Sequence, residues 1–193
     1  RDGVLPDICS MAKIVTGGMP GGAVGGREEF MRLLDPTVEF RGQTPGVTHK
    51  GTFNGNPLVA ASGVAALSEI KTGKPNKLAD AAAKRLRSGM RQVIEQHQVT
   101  GAVYGEASTF HLYLGDDVKG GSVEGLGAEK IRGIPKSTIS AMQSGLRKRG
   151  VDLMSHMSGV TSMAHTEADV DETLQAFEDT IQEMIADGHI GGR

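Results

Sequence analysis

The chain is 193 residues long, 38% apolar and 23% charged, with a formal net charge of −2, which suits a globular protein of one sizeable domain or two small ones. Charges of mixed sign leave no basic field for nucleic acid or an anionic membrane, and no run approaches the ~18 apolar residues of a membrane span. Cys9 is the single cysteine, so no internal disulfide can form, which fits a reducing cytoplasm.

Arg1-Asp2-Gly3 does not read as a signal peptide. Glycine is the outlier, at 28 residues, about twice the ~7% average, and the glycines are clustered. Residues 6–14 read as a short strand running into an irregular stretch. From Thr16 to Gly26 the chain is a glycine-dense loop that no helix would tolerate. Residues 27–34 form a short helix stopped by Asp35-Pro36, and a polar loop follows over 37–50. Asn56 is a good N-cap with Pro57 at the first helical position. That helix runs from 57 to about 71, rich in Ala and Leu, and Gly73-Lys74-Pro75 ends it.

A second helix is expected from about Asn76, with Leu78, Ala82, Leu86, Met90 and Val93 on its apolar face. Beyond Gly101 the period changes to two. A strand near 102–106 precedes another in which Phe110, Leu112 and Leu114 alternate with His111 and Tyr113. Residues 115–127 are a loop of charges and glycines. Residues 136–149 are helical, with Ile139, Met142 and Leu146 on one face and Gly150 as C-cap. Short strands are candidates at 151–153 and 160–163. Thr166, with Asp169 three residues on, resembles a capping box, and opens a last helix through Val170, Leu174, Phe177, Ile181 and Met184 to Gly188. This order after residue 75 describes an α+β domain. Residues 1–75 offer too little sheet for a core of their own, so a further piece is expected upstream.

Few residues could carry chemistry. Lys13 stands between apolar residues just before the glycine loop. Burying an ammonium is expensive unless it is paired or neutralised, and a Schiff-base lysine uses partial burial to keep its amine nucleophilic; the alternative is a lysine that snorkels at a strand end. The glycine loop lacks both the G-x-x-x-x-G-K-[ST] cradle and the G-x-G-x-x-G fingerprint, and could be a plain connection. The stretch Gly51-Thr52-Phe53-Asn54-Gly55-Asn56-Pro57 sets a hydroxyl and free amides ahead of a capped helix, an anion-binding arrangement or an ordinary helix start. The six histidines and Cys9 make no recognisable metal site. His165 precedes a helix cap and reads as structural. His156, in a Met/Ser-rich stretch, could face a pocket or simply pack.

Three stretches in order, the one from Pro6 to Gly26 around Lys13, then Gly51 to Pro57, then Ala164-His165-Thr166-Glu167-Ala168-Asp169-Val170, resemble the class III (fold-type I) pyridoxal-phosphate aminotransferases. The likeness is greatest to the glutamate-1-semialdehyde aminomutase-like branch, and it spans nearly the whole chain. It implies an α/β fold class: the C-terminal part of a fold-type I large domain over residues 1–75, followed by an α+β small domain over 76–193. It implies pyridoxal 5′-phosphate as cofactor, bound by Lys13 as a Schiff base, with Lys13 also moving the proton between substrate Cα and cofactor C4′. Gly51 and Thr52 would contact the cofactor phosphate, across the interface of a homodimer whose active site is shared between subunits. The implied partners are a small-molecule amino donor and a keto acid. The family's pyridinium aspartate, ring-stacking aromatic and serine/glycine phosphate loop would all lie before Lys13, outside this sequence.

One departure bears on the reaction. Where the aminomutases hold a glutamate, residues 151–163 here have none, which favours intermolecular transamination over the mutase reaction. The stretch has no arginine either, so a substrate carboxylate needs a partner elsewhere. The alternatives are glutamate-1-semialdehyde 2,1-aminomutase-type intramolecular amino transfer, and a non-catalytic fragment or dimerisation partner.

Overall fold

A strand followed by a glycine-rich return can pair only if the glycines become the second strand. The computed structural model, which describes residues 3–37, 39, 42, 47, 49–116, 118, 121–153 and 157–192, has this arrangement. β1 (Ile8–Ala12) pairs antiparallel with β2 (Gly22–Gly26), Ile8 opposite Gly26 and Ala12 opposite Gly22. The expectation of a loop throughout 16–26 is corrected here, because close approach rather than β-propensity makes these glycines a strand. A Cβ at Gly26 would sit 2.5 Å from the Asp7 carbonyl oxygen, and one at Gly22 would sit 2.9 Å from that of Met11.

The chain divides into two compact units, Arg1–Thr72 and Gly73–Arg193. In the first, a 3-10 turn (Lys13–Thr16) joins β1 to the glycine turn, and α1 (Glu28–Met31) continues as a 3-10 turn through Leu34. α2 (Pro57–Ile70) opens as expected. The Asn56 side chain accepts from the amides of Leu58 and Val59, at 3.0 and 3.2 Å. α2 lies directly on the 3-10 turn, where a Cβ on Gly63 would stand 2.8 Å from the Val15 carbonyl oxygen. Among the described residues of this unit only Thr16 and Gly63 are buried.

The second unit is built around a core. α3 spans Lys74–Gln96 and starts before the expected Asn76. Gly73 at φ 71 makes the break from α2, and Pro75 is accommodated in the first turn, where no intrahelical donor is required. Its buried face is Ala79, Ala83, Leu86, Met90, Val93 and Ile94; Leu78, expected inside, is 45% exposed. β3 (Gly101–Tyr104) and β4 (Thr109–Leu114) form a hairpin, and β5 (Ser158–Val160) adds to the free edge of β4. Residues 151–153 are not a strand, and β5 begins and ends before the expected 160–163. α4 (Ala128–Arg132), α5 (Lys136–Lys148) and α6 (Glu167–Ala186) complete the unit. Tyr113, expected to face outward, is buried in a second small cluster with Ala102 and Val118. Phe110 and Leu112 join Met90, Met142, Leu146, Phe177, Ile181 and Met184 in the main core.

Small residues let the helices meet closely. A Cβ on Gly89 of α3 would fall 2.5 Å from Leu174 of α6, and one on Gly145 of α5 would fall 2.5 Å from Thr180. The α6 capping box is complete: the Asp169 amide donates to Thr166 Oγ1 at 3.2 Å, and the Thr166 amide donates to Asp169 Oδ2 at 2.7 Å. Among the described residues, no helix is long and apolar enough to cross a membrane.

Candidate functional site

Lys13 is the first residue after β1 and opens the 3-10 turn. Its backbone is left-handed, φ 58. That conformation costs a non-glycine residue on the order of 1–3 kcal/mol and persists only where the surroundings enforce it. They do so here from both sides. The hairpin register fixes Ala12 against Gly22. After the turn, Gly17 adopts φ 60 and returns its amide to the Ile14 carbonyl at 3.0 Å. Ser62 Oγ of α2 then donates to the Gly17 carbonyl at 3.1 Å. A side chain at Gly17 would meet Ser62 Oγ at 2.4 Å, so only glycine allows this packing.

The Lys13 side chain is exposed within this chain, as are Met11 and Ile14 beside it. The partial burial expected from its apolar neighbours is therefore absent from these contacts: both faces of the β1–β2 hairpin are open. The ammonium has no hydrogen-bond or ion-pair partner among the described residues. Nζ of Lys13 thus stands at a fixed strand end, sterically open to a ligand.

Gly51 and Thr52 lie in a tight turn ahead of α2. The Asn54 amide donates to the Gly51 carbonyl at 3.0 Å, the Asn56 amide to that of Phe53 at 3.2 Å, and Gly55 turns the chain with φ 69. The Asn54 carboxamide reaches the His49 carbonyl at 3.3 Å and lies where a Gly51 side chain would be. Neither the hydroxyl nor the amide of Thr52 is taken up by a described neighbour. The first free amides of α2, by contrast, are spent on Asn56. An anion at this place would therefore have to use the turn and the field of the helix, not the amides of Leu58 and Val59.

The lysine turn and the Gly51–Asn56 turn border one cleft of about 620 Å³ against α2, lined by Val15, Thr16 and Gly21 on one side and by His49, Phe53 and Asn54 on the other. Lys13 and Thr52 themselves do not line it. The structure brings their turns together without bringing the two side chains to one point.

A primary amine and an unclaimed hydroxyl–amide pair are the donor set an aldehyde cofactor with a phosphate tail requires, so these residues fit pyridoxal 5′-phosphate. His165 is occupied: its Nδ1 accepts the Ser162 amide at 3.0 Å, which suits the structural reading. His156 lies outside the described residues. Two participants were not anticipated from sequence, Thr16 and Ser62. Neither follows a motif, and only the fold shows their hydroxyls aimed at the carbonyls of the lysine turn.

Solved structures with this fold are fold-type I pyridoxal-phosphate transaminases. An omega-transaminase from Sphaerobacter thermophilus matches with a TM-score of 0.76 and 29% identity, over 93% of this chain and 39% of its own. A β-phenylalanine aminotransferase from Variovorax paradoxus matches with a TM-score of 0.70 and 26% identity, over 95% and 40%. Among curated proteins, the glutamate-1-semialdehyde 2,1-aminomutase of Pyrobaculum aerophilum is 34% identical over 184 residues, 94% of this chain and 40% of that protein. The chain thus spans about two fifths of the length of the relatives it matches. The sequence profile of the family described as aminotransferase class-III matches residues 1–181. The chain belongs to the class-III aminotransferase family, whose cofactor is pyridoxal 5′-phosphate.

Proposed function

We propose that this chain carries the lysine-bearing part of a pyridoxal-phosphate-dependent aminotransferase that moves an amino group between an amino acid or amine and a keto acid. The observation that carries the reading is Lys13: an amine without a partner, held in a left-handed backbone at the end of β1, within a chain whose family match covers both turns of the site. When bound, the cofactor supplies an electron sink for the bond broken at the substrate Cα. Lys13 holds the cofactor by its Nζ and, once released by substrate, moves a proton between Cα and C4′. Thr52 and the Gly51 turn grip the phosphate. The open hairpin and the lack of any contact between Lys13 and Thr52 support a site shared across an isologous homodimer, each subunit lending its Gly51–Thr52 turn to the other. The same reading puts residues 1–75 at the end of the large domain and 76–193 in the small one, in a cytoplasmic enzyme, as the single unpaired Cys9 suggests.

Borohydride reduction of the complete holoenzyme followed by peptide mapping should place the label on Lys13, and Lys13→Ala should abolish turnover while leaving the fold intact. Label on Lys50 or Lys71 instead would sink the assignment. A second reading, intramolecular transfer as in the aminomutases, draws support from the curated relative's name; the absence of glutamate from residues 151–163 favours the first. Given glutamate-1-semialdehyde alone, the enzyme should make little 5-aminolevulinate. With an amino donor and a keto acid it should turn over, and efficient use of the semialdehyde without an acceptor would reverse the preference.

A further inference from the structure

Thr16 is the one buried side-chain hydroxyl in the described part of the first unit, 7% exposed, and its surroundings are specific. Oγ1 lies 2.6 Å from the Met19 carbonyl and 3.1 Å from the Lys13 carbonyl. The Met19 amide comes back to the Thr16 carbonyl at 3.1 Å. The hydroxyl has a single proton, so it serves these two carbonyls in a shared bond, with Met19 the nearer. Its methyl occupies the space beside Gly21, 2.9 Å from where a Cβ would be. One side chain therefore ties the lysine's own peptide to the far end of the glycine turn and packs the gap between them. Ser62 makes a second tie, from α2 to the Gly17 carbonyl, and the left-handed Lys13 lies just ahead of both.

From this arrangement we infer that Thr16 is a positioning residue for Lys13: its hydroxyl holds the lysine turn in the left-handed geometry that aims Nζ. The inference rests on the reading of Lys13 as the cofactor lysine. Thr16 touches neither substrate nor cofactor in this role. It acts on the Lys13 carbonyl, and so on the direction in which the Cα–Cβ bond leaves the backbone. Valine in its place keeps the volume and the methyl beside Gly21 but removes the hydroxyl's bonds to the Lys13 and Met19 carbonyls. The turn is then free to relax, and displacing a catalytic group by about 1 Å can cost on the order of a hundredfold in rate. Because the lysine moves a proton only after substrate is bound, the loss falls on kcat and not on KM.

The test uses the complete holoenzyme in wild-type, Thr16→Val, Thr16→Ala and Thr16→Ser forms. Visible absorbance of the lysine-bound cofactor is titrated against pH, and kcat and KM are measured alongside the melting temperature of the cofactor-free protein. Thr16→Val should move the apparent pKa of the chromophore by roughly half a unit or more and lower kcat about tenfold with KM within about twofold. Thr16→Ser, which restores the hydroxyl, should recover both. A purely structural role would lower the melting temperature of Thr16→Val and leave the chromophore titration unmoved, which would overturn the inference. So would a Thr16→Ser protein as impaired as Thr16→Val. If Thr16→Val is too unstable to load, Thr16→Ala is read by the same titration and must show the same shift. Borohydride labelling on each preparation separates the two levels. No label on Lys13 in wild type defeats the cofactor reading, whereas label on Lys13 with a titration insensitive to residue 16 defeats only the role of Thr16.

Discussion

The two units of this chain keep their apolar side chains in opposite places. From Ala79 onward, leucines, methionines and phenylalanines close around one another in a continuous core. Before Thr72, the comparable residues point outward: Leu58 is 62% exposed, Val64 67% and Ile14 62%. α2 is apolar around most of its circumference, with Glu69 its single charge. A helix of that composition is ordinarily buried on all sides. The difference teaches that the two units draw on different sources of stability. The second is held by its own interior. The first is held locally, by backbone pairing, glycine close contacts and two hydroxyls, and leaves its apolar surface exposed. Lys13 stands in the unit that is open.

Matched truncations are the sharpest way to break this contrast. Phe177 is 1% exposed in the core, so Phe177→Ala should destabilise this chain by about 3–5 kcal/mol. Leu58→Ala removes a similar kind of side chain from the exposed face of α2 and should change the stability of the chain alone by less than about 0.5 kcal/mol. Urea unfolding of both variants checks it. Equal losses would mean that the first unit has a core of its own after all.

A smaller effect concerns the proposed lending of groups by the open unit. If Thr52 grips the phosphate as proposed, Thr52→Ala removes one hydrogen bond to a charged group, worth roughly 1.5–3 kcal/mol, and cofactor binding to the complete enzyme should weaken about ten- to a hundredfold. Whether Thr52 serves its own subunit or the other is decided by mixing Lys13→Ala and Thr52→Ala subunits. The heterodimer holds one fully intact site if the phosphate grip crosses the interface, and none if it does not. Activity no higher than that of Thr52→Ala homodimers would confine Thr52 to its own chain.

The same contrast explains what could be read from the sequence. The second unit was largely legible because its signals are periodic: the faces of α5 and α6, the alternation in β4 and the Thr166–Asp169 box all depend on neighbours in sequence. Its misreadings come from tertiary packing. Leu78 precedes the point where α3 meets the core, and Tyr113 is buried by a second cluster on the back of the sheet. The first unit was legible mainly as motif. Gly22–Gly26 could not be recognised as a strand, since glycine has no preference for one, and only the carbonyls of Asp7 and Met11 show why no side chain fits. The left-handed backbone of Lys13 carries no sequence signal, because lysine does not favour it.

The mildest test contrasts carboxylates of the second unit with one of the first. Glu183 on α6 is held below the ordinary glutamate value by hydrogen bonds first from Lys148 and then from Arg149, at 2.7 and 2.8 Å, and Arg149 also donates to the Gly145 carbonyl at 2.9 Å. α5 and α6 are thus joined through a charge. Asp169 is lowered by the Thr166 amide and then the Thr166 hydroxyl. Both groups have a folded pKa below the unfolded one, so folding favours their charged forms. Their contribution is complete above the unfolded value, near about pH 4, and is lost as pH falls through the folded value. The melting temperature of the second unit should therefore hold from neutrality to about pH 5 and decline below it. Glu183→Gln should start lower at neutral pH, decline less steeply and meet wild type at the acid end. Salt should shrink the neutral-pH difference, because these pairs are solvent-facing and screened. Asp35 is lowered as well, by the Thr37 hydroxyl and then its amide, but it lies in the first unit, so its local bond does not enter the melting of the second. Asp35→Asn should leave the acid limb of the melting profile unchanged. If it flattened that limb as much as Glu183→Gln does, acid sensitivity would have to be assigned to local turns in the open unit and not to the ties between α5 and α6.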